Sequence, residues 1–385
     1  MIKVGAQEAV NILRFFDALP DPRSSVNRLH PLGEVIVIAT CAVIAGADGP
    51  TAIAKWAELK EPWLRKHLAL PNGVPGKDTF RRVLGALNPA IFQRCFQEWL
   101  ASLHVPTDEE SECKRHIAID GKTLRRSHDR KNGLGPMHIV SAWASDHGIT
   151  LGQVATEEKS NEITAIPELL KNIELEDAIV TIDAAGCQKN IAAQIVDGKG
   201  DFVLALKANH GTLFDEVRVL LGCHMQDDFA NCPVSFHIEF DKGHGRLEER
   251  RYYQITAPSF LYGRSEWKGL KTIGAAVRIY EENGVKKTET RYYLSSLRRN
   301  GKRFANAVRN HWGIENSLHW CLDMTYREDE SRVRNRRFAD NLGWLRRLTL
   351  SLIKQHPGKQ SNVMKRRMAG WSVDFLMEIL AGTST

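Results

Sequence analysis

No two cysteines in this 385-residue chain are spaced to grip zinc, and no apolar run is long enough to cross a bilayer. The seven cysteines (Cys41, Cys95, Cys113, Cys187, Cys223, Cys232 and Cys321) are scattered and odd in number, with no C-x-x-C pair. A disulfide framework is therefore excluded, and reduced thiols in a cytoplasmic protein are expected. The one apolar stretch of note, residues 35–47, is broken by Gly46, Asp48 and Gly49 and reads as a buried helix. The start of the chain lacks a signal peptide's basic, apolar and small-residue sections, so no membrane role is expected. Also missing are a P-loop, a G-x-S-x-G elbow and an H-E-x-x-H helix, which excludes the nucleotide-hydrolase, serine-hydrolase and zinc-protease readings. There is no internal repeat and no low-complexity segment.

What is present is an ordinary globular composition, 43% hydrophobic and 26% charged, in a chain long enough for two or three structural units. The net charge is +7, a mild excess that favours a polyanionic partner without establishing one. Its distribution says more. Residues 298–370 concentrate basic side chains, among them Arg298, Arg299, Arg332, Arg334, Arg336, Arg337, Arg346, Arg347, Lys365, Arg366 and Arg367. Arginine dominates, as expected where a forked donor grips phosphate, although a solvated helical face also accounts for such runs.

Apolar periodicity divides the chain. Residues 7–104 read as helices at 9–19, 35–47, 52–59, 80–87 and 91–103, with Asp78-Thr79 as an N-cap and Arg81 and Arg82 in the first turn behind it. After a polar linker at 107–112 come short β-branched runs at 117–119, 139–144, 149–154, 179–182 and 202–206, with helices at 162–173, 190–196 and 213–221 between or after them. This order predicts an α/β fold, a mixed sheet covered by helices. Four further strands, at 235–241, 248–256, 272–280 and 289–295, predict a β-rich insertion at 223–300. Helices return at 302–323 and 340–354. The expected organisation is 1–106, an N-terminal helical region; 107–222, the first part of the core; 223–300, the insertion; and 301–385, the helical completion with its basic end.

Three acids stand out. Asp120 follows the apolar run Ile117-Ala118-Ile119, and Asp183 follows Ile179-Val180-Thr181-Ile182, each at a strand's carboxyl end, where sheet enzymes place their sites. An Asp there also serves simply to open a turn. Glu315 lies in His311-Trp312-Gly313-Ile314-Glu315-Asn316-Ser317-Leu318-His319-Trp320, and on a helix Trp312, Glu315 and His319 share a face. An ion pair with Arg309 explains such a glutamate equally well. Trp312, Trp320 and Trp344 read as packing residues, and His244 and Arg246 as part of a glycine turn. Phosphodiester cleavage gives a reason for three carboxylates, because two metal ions roughly 4 Å apart stabilise the attacking and leaving oxygens together. Hard oxygen ligands suit Mg2+ or Mn2+, with phosphate and water completing each shell.

Around these residues the chain resembles the H-repeat-associated transposases, the ISAs-one group of bacterial insertion-sequence DDE transposases. The likeness runs through Asp21-Pro22-Arg23, Gly76-Lys77-Asp78-Thr79-Phe80, Asp120-Gly121-Lys122-Thr123, Ser160-Asn161-Glu162-Ile163, Ala205-Leu206-Lys207-Ala208-Asn209, the His311–Trp320 stretch, Leu322-Asp323 and Glu328-Asp329. The resemblance implies an RNase H-like core in which Asp120, Asp183 and Glu315 are the catalytic, metal-binding acids. It also implies cleavage at terminal repeats, strand transfer into target DNA, and a homodimer on double-stranded DNA. Where the broader superfamily often places tyrosine, arginine and lysine around its glutamate, this chain has Val308, His311 and Leu322. The cations contacting flanking phosphates are therefore open; Lys207, Arg309 and Arg332 are chosen by charge and position. Two other readings share these residues, namely an RNase H-like nuclease without strand transfer and a non-enzymatic or inactive DNA-binding protein.

Overall fold

A computed structural model describes residues 12–103, 115–156, 162–243, 246–282 and 284–382. The linker at 107–112, the N-cap candidates Ser160 and Asn161, and the tip of the glycine turn at His244 lie outside them.

Nine strands form one mixed sheet: β1 (Arg115–Thr123), β2 (His138–Ala144), β3 (Ile149–Thr156), β4 (Ala178–Ile182), β5 (Asp201–Leu206), β6 (Val234–Gly243), β7 (Arg246–Thr256), β8 (Thr272–Glu282) and β9 (Val285–Ser295). Their spatial order is β3-β2-β1-β4-β5-β9-β8-β7-β6. The centre is parallel, β1 beside β4 beside β5, and all other pairings are antiparallel. The strands expected as an insertion extend this same sheet. β9 pairs with β5 from Val203↔Ser295 to Leu206↔Tyr292, covering an edge that would otherwise expose unpaired backbone.

Both sheet faces are buried. In β4 every residue is buried, and alternate side chains serve opposite layers: Val180 and Ile182 pack with α5 (Glu162–Leu170), α6 (Lys189–Asp197) and α7 (Gly211–Gln226). Ile179 packs with Phe304 and Val308 of α8 (Gly301–Gly313) on the other side. That second face also receives the N-terminal helices α1 (Leu32–Ile44), α2 (Pro50–Leu64), α3 (Lys77–Ala86) and α4 (Pro89–Leu103). They share one apolar core with Trp143, Ala144 and Ile149 of the sheet and with Trp344, Leu345 and Leu348 of α10 (Arg336–Gln355), which follows the short α9 (Trp320–Met324).

Helix α1 is almost wholly buried, as its unbroken apolar stretch requires. Helix α3 begins at Lys77, one residue before the expected cap, because Asp78 sits inside its first turn and binds Arg81 at 2.9 Å. The chain closes with α11 (Asn362–Trp371) and α12 (Val373–Ala381), for which the sequence reading made no provision. Ser361 and Ser372 cap them by accepting from Met364 N–H and Phe375 N–H. Among the described residues, no helix is long and apolar enough to cross a membrane.

Candidate active site

Asp120 sits inside β1 opposite Ser141 of β2, not at the strand's carboxyl end as expected, because the pairing with β2 carries the strand on to Thr123. Its Oδ1 accepts from the Gly121 N–H at 2.9 Å, and its Oδ2 lies 3.4 Å from His319 Nδ1. Burial, reinforced by the negative charges of Asp183, Glu315 and Glu162, pushes its carboxyl up to about 7, against the pull of the Gly121 N–H. Three chain segments far apart in sequence thus bring acids to one place.

Asp183 immediately follows β4, and its Oδ1 accepts from Ala185 N–H (3.0 Å) and Gly186 N–H (3.3 Å). The turn-opening role weighed for it is real. It uses one oxygen; among the described residues no hydrogen bond or ion pair engages Oδ2.

Glu315 is on a π-helical turn, Ile314–His319, inserted between α8 and α9 where the spacing led us to expect an unbroken α-helix. Such turns widen a helix by one residue and recur at functional sites. Ile314 and Leu318 stay buried in the core while Glu315 is exposed toward the site. The ion pair considered with Arg309 does not form. Arg309 lies 3.7 Å from both Glu239 and Asp241 instead.

Among the described residues, no Lys or Arg pairs with these acids. Burial holds the His319 ring down to about 3, with Arg347 and Lys122 adding to the effect, so it is neutral at ordinary pH. His311, 3.2 Å from Thr181 Oγ1, is brought by burial to about 4 and is neutral too. Lys122, two residues beyond Asp120 on the same strand, is held by Asp323 (2.6 Å) and Asp329 (3.0 Å). Among the described residues no three His, Cys, Asp or Glu side chains converge as a finished metal cage. A hard divalent ion needs less, since one or two carboxylates suffice when phosphate and water fill its shell. Uncompensated negative charge beside the orphaned buried Nε2 of His319 suits such an ion.

Several residues here went unassigned in the sequence reading. Lys122, Asp323 and Asp329 lie in quoted motifs, yet only the fold reveals that they bind each other. Glu162, expected merely to follow a helix cap, is buried 2.6 Å from the equally buried His138 Nε2, without the alignment of a hydrogen bond. Thr123 Oγ1, at 2.9 Å, steadies the other ring nitrogen. This pair packs on the opposite face of β1 from the Asp120 side chain, against Gly121. A Cβ at Gly121 would lie 2.2 Å from His138 Nε2 and 2.3 Å from Glu162 Oε1. Gly121→Ala is therefore expected to destabilise the protein by about 1–3 kcal/mol through overpacking. Chemical denaturation checks this, and an unchanged midpoint would show that the pair yields freely.

The basic C-terminal run needs correction. Arg346, Arg347, Lys365 and Arg366 are buried, not aimed at phosphate. Arg347 pairs with Glu328, Arg346 donates to Asp48 O, Lys365 donates to Ile353 O and His356 O, and Arg366 donates to Val43 O while lying over Tyr326. Backbone carbonyls at helix C-termini take up the donors of Lys365 and Arg366. Arg298, Arg332, Arg334 and Arg367 are exposed, as is Lys207 just after β5. Of the three tryptophans expected to pack, Trp344 is buried, Trp312 borders a cavity under Arg291, and Trp320 is exposed.

The Transposase DDE domain family matches residues 111–352, and the DDE_Tnp_1-associated family matches residues 13–100. Among curated proteins, the putative transposase YncI of Escherichia coli O157:H7 is 38% identical, covering 97% of this chain and 95% of its own length. The H repeat-associated putative transposase YhhI of Escherichia coli K12 is 34% identical over 98% of this chain and 99% of its own. The putative protein YbfL of the same strain is also 34% identical with the same coverage.

Proposed function

This chain belongs to the DDE transposase family, of the H repeat-associated kind, and we propose that it cuts DNA at transposon terminal repeats and joins the ends to target DNA. The observation carrying this reading is that Asp183 and Glu315 stand near enough to the largely buried Asp120 for their charges to raise its carboxyl, with no Lys or Arg paired to any of the three among the described residues. Two divalent cations bound there, Mg2+ or Mn2+, would stabilise the attacking and leaving oxygens of an in-line displacement. Asp120 and Asp183 would hold them from the central parallel strands. Glu315, on a turn one residue wider than an α-helix, reaches the same place from the opposite chain end.

Neutral His319 and His311 flank the acids as hydrogen-bond donors or acceptors, and bound metal ions would supply the acidity that readies water or a 3′-hydroxyl for attack. Exposed Lys207 and Arg332 contact flanking phosphates in this proposal. Arg309, lying between two acids, is a weaker candidate than its position in the sequence implies. Two ends must be joined in one reaction, so the active form on DNA is a homodimer, and the reaction takes place in the cytoplasm.

The test is Mg2+-dependent cleavage of a labelled duplex carrying the inverted repeat that flanks the gene. Wild type should cut, and Glu315→Ala should lose at least about a hundred-fold in rate. Equal activity removes Glu315 from the site. Cleavage without joining of a supplied 3′-hydroxyl end makes the protein a nuclease of the same fold, and binding without cleavage in wild type makes it an inactive DNA-binding protein.

A further inference from the structure

A cavity of about 250 Å³ opens beside the Glu315 turn, between α8 and the β7–β9 extension of the sheet. Asn316, the neighbour of Glu315, forms one wall with Trp312 and Arg309 of α8; Arg250, Arg278 and Arg291 come from β7, β8 and β9. Four guanidinium groups in one small cleft repel each other unless acids neutralise them, and three of the four are neutralised. Arg250 pairs with Glu248 and Asp241. Arg278 pairs with Glu248 at 2.8 Å and with Glu289 at 3.7 Å. Arg309 stands 3.7 Å from Glu239 and from Asp241.

Arg291 differs. Among the described residues no carboxylate pairs with it, and it is exposed. Its guanidinium lies over the Trp312 ring, 4.2 Å from the centroid. Stacking fixes the plane of a guanidinium while leaving its edge N–H groups unused, which is the arrangement that meets two oxygens of one phosphate. The ring beneath it belongs to the segment that carries Glu315, so the free charge is tied in position to the proposed catalytic acid. His311, next to Trp312, cannot take this role, being neutral and turned onto Thr181.

We propose that Arg291, held on Trp312, is the phosphate clamp of the active site, gripping one phosphodiester of the DNA strand that passes over Glu315. This rests on the transposase reading above and adds to it the residue that receives the strand. It also gives the β6–β9 extension a purpose, because β9 delivers a cation from the insertion to the catalytic turn. Since the contact is to the backbone, it confers position and register but no base preference.

Binding, measured without metal so that no cleavage intervenes, tests the idea. The probe is a short fluorescein-labelled duplex carrying the flanking inverted repeat, titrated at several salt concentrations. Losing one phosphate contact should lower the slope of log affinity against log salt by about 0.9. Arg291→Ala and Arg291→Gln should both show that change, with roughly ten-fold weaker binding at moderate salt. Arg278→Ala, whose charge is already engaged, should not. Duplexes carrying a single methylphosphonate at successive positions then locate the phosphate. At one position wild type loses affinity, and Arg291→Gln loses nothing further.

Unchanged slopes in both Arg291 variants overturn the clamp while leaving the transposase reading intact. A methylphosphonate scan that weakens the variant as much as wild type at every position does the same. Wild type failing to bind the repeat in preference to an unrelated duplex counts instead against the proposed function itself. Arg291→Gln keeps most of the aliphatic stem and a planar polar end without the charge, so a folding defect confined to Arg291→Ala does not prevent the test.

Discussion

Asp120→Asn is expected to fold, to be more stable than wild type in metal-free buffer above about pH 7, and to cleave DNA on the order of a thousand-fold more slowly or not at all. The two halves of this result have one cause. Asp120 is buried among like charges, and its carboxyl is raised from 3.8 to about 7. For an acid whose pKa is raised by folding, the native state holds a proton that the unfolded chain has released. The contribution of Asp120 to stability is therefore most favourable below pH 3.8, falls as pH rises from there to about 7, and stays lowered above it. Converted directly, the shift corresponds to at most about 4 kcal/mol, and relaxation of the site will reduce it.

Asparagine cannot ionise, so the variant is free of this penalty and also of the ligand. Thermal melts in EDTA across the pH range, for wild type and Asp120→Asn, check the claim. Wild type should lose stability with rising pH, and the variant should show a flatter curve. Adding Mg2+ above neutrality should raise the wild-type midpoint and leave the variant's nearly unmoved, because binding favours the ionised carboxylate. Superimposable pH curves would remove the argument that Asp120 is a destabilised, functional acid. Lower stability of the variant at every pH would mark it as a structural hydrogen-bonding residue.

The second large effect is on folding. Glu328 is fully buried, and its Oε1 meets Arg347 at 3.0 Å and Arg346 at 3.8 Å. Arg347, also fully buried, donates from Nε to Ser141 Oγ on β2 and from a terminal nitrogen to Gly343 O, while Arg346 donates to Asp48 O beyond α1. One carboxylate therefore connects the sheet, α10 and the N-terminal helices. Glu328→Ala leaves two guanidinium groups facing each other out of water, a change that costs about 3–5 kcal/mol. We expect a large fall in the urea midpoint, and insolubility on expression at elevated temperature. Replacing Glu328 and Arg347 together by methionine should recover much of the loss, because the uncompensated charge disappears with its partner. A single Glu328→Ala variant within about 1 kcal/mol of wild type would show that water reaches these groups.

The secondary elements were largely legible because burial on a sheet or helix leaves a periodic mark. The runs at 117–119, 139–144, 149–154, 179–182 and 202–206 each fall within a strand of the sheet, and the helix at 35–47 is buried as its composition requires. Legibility failed where the cause is not local. A cluster of basic residues reads the same whether its donors face DNA or partners inside the fold; Arg346, Lys365 and Arg366 prove to bond backbone carbonyls and Arg347 the buried Glu328 carboxylate. The π turn at Glu315 was invisible too, since inserting a residue into a helix changes which side chains align without changing composition. Trp320, placed by helical spacing in the core, turns outward past that turn.

Strand identity, the two aspartates as candidate acids beside apolar runs and family membership were determined by the sequence alone, because each depends on neighbours along the chain or on ordered motifs. The meeting of Asp120, Asp183 and Glu315 was decided only by the tertiary fold, as were the capture of Lys122 by two aspartates, the continuity of β6–β9 with the catalytic sheet, and the choice of Arg291 as the unpaired cation. Those features are electrostatic and steric relations between distant segments. A charge's meaning depends on what lies within a few ångströms of it, and sequence order does not specify that neighbourhood.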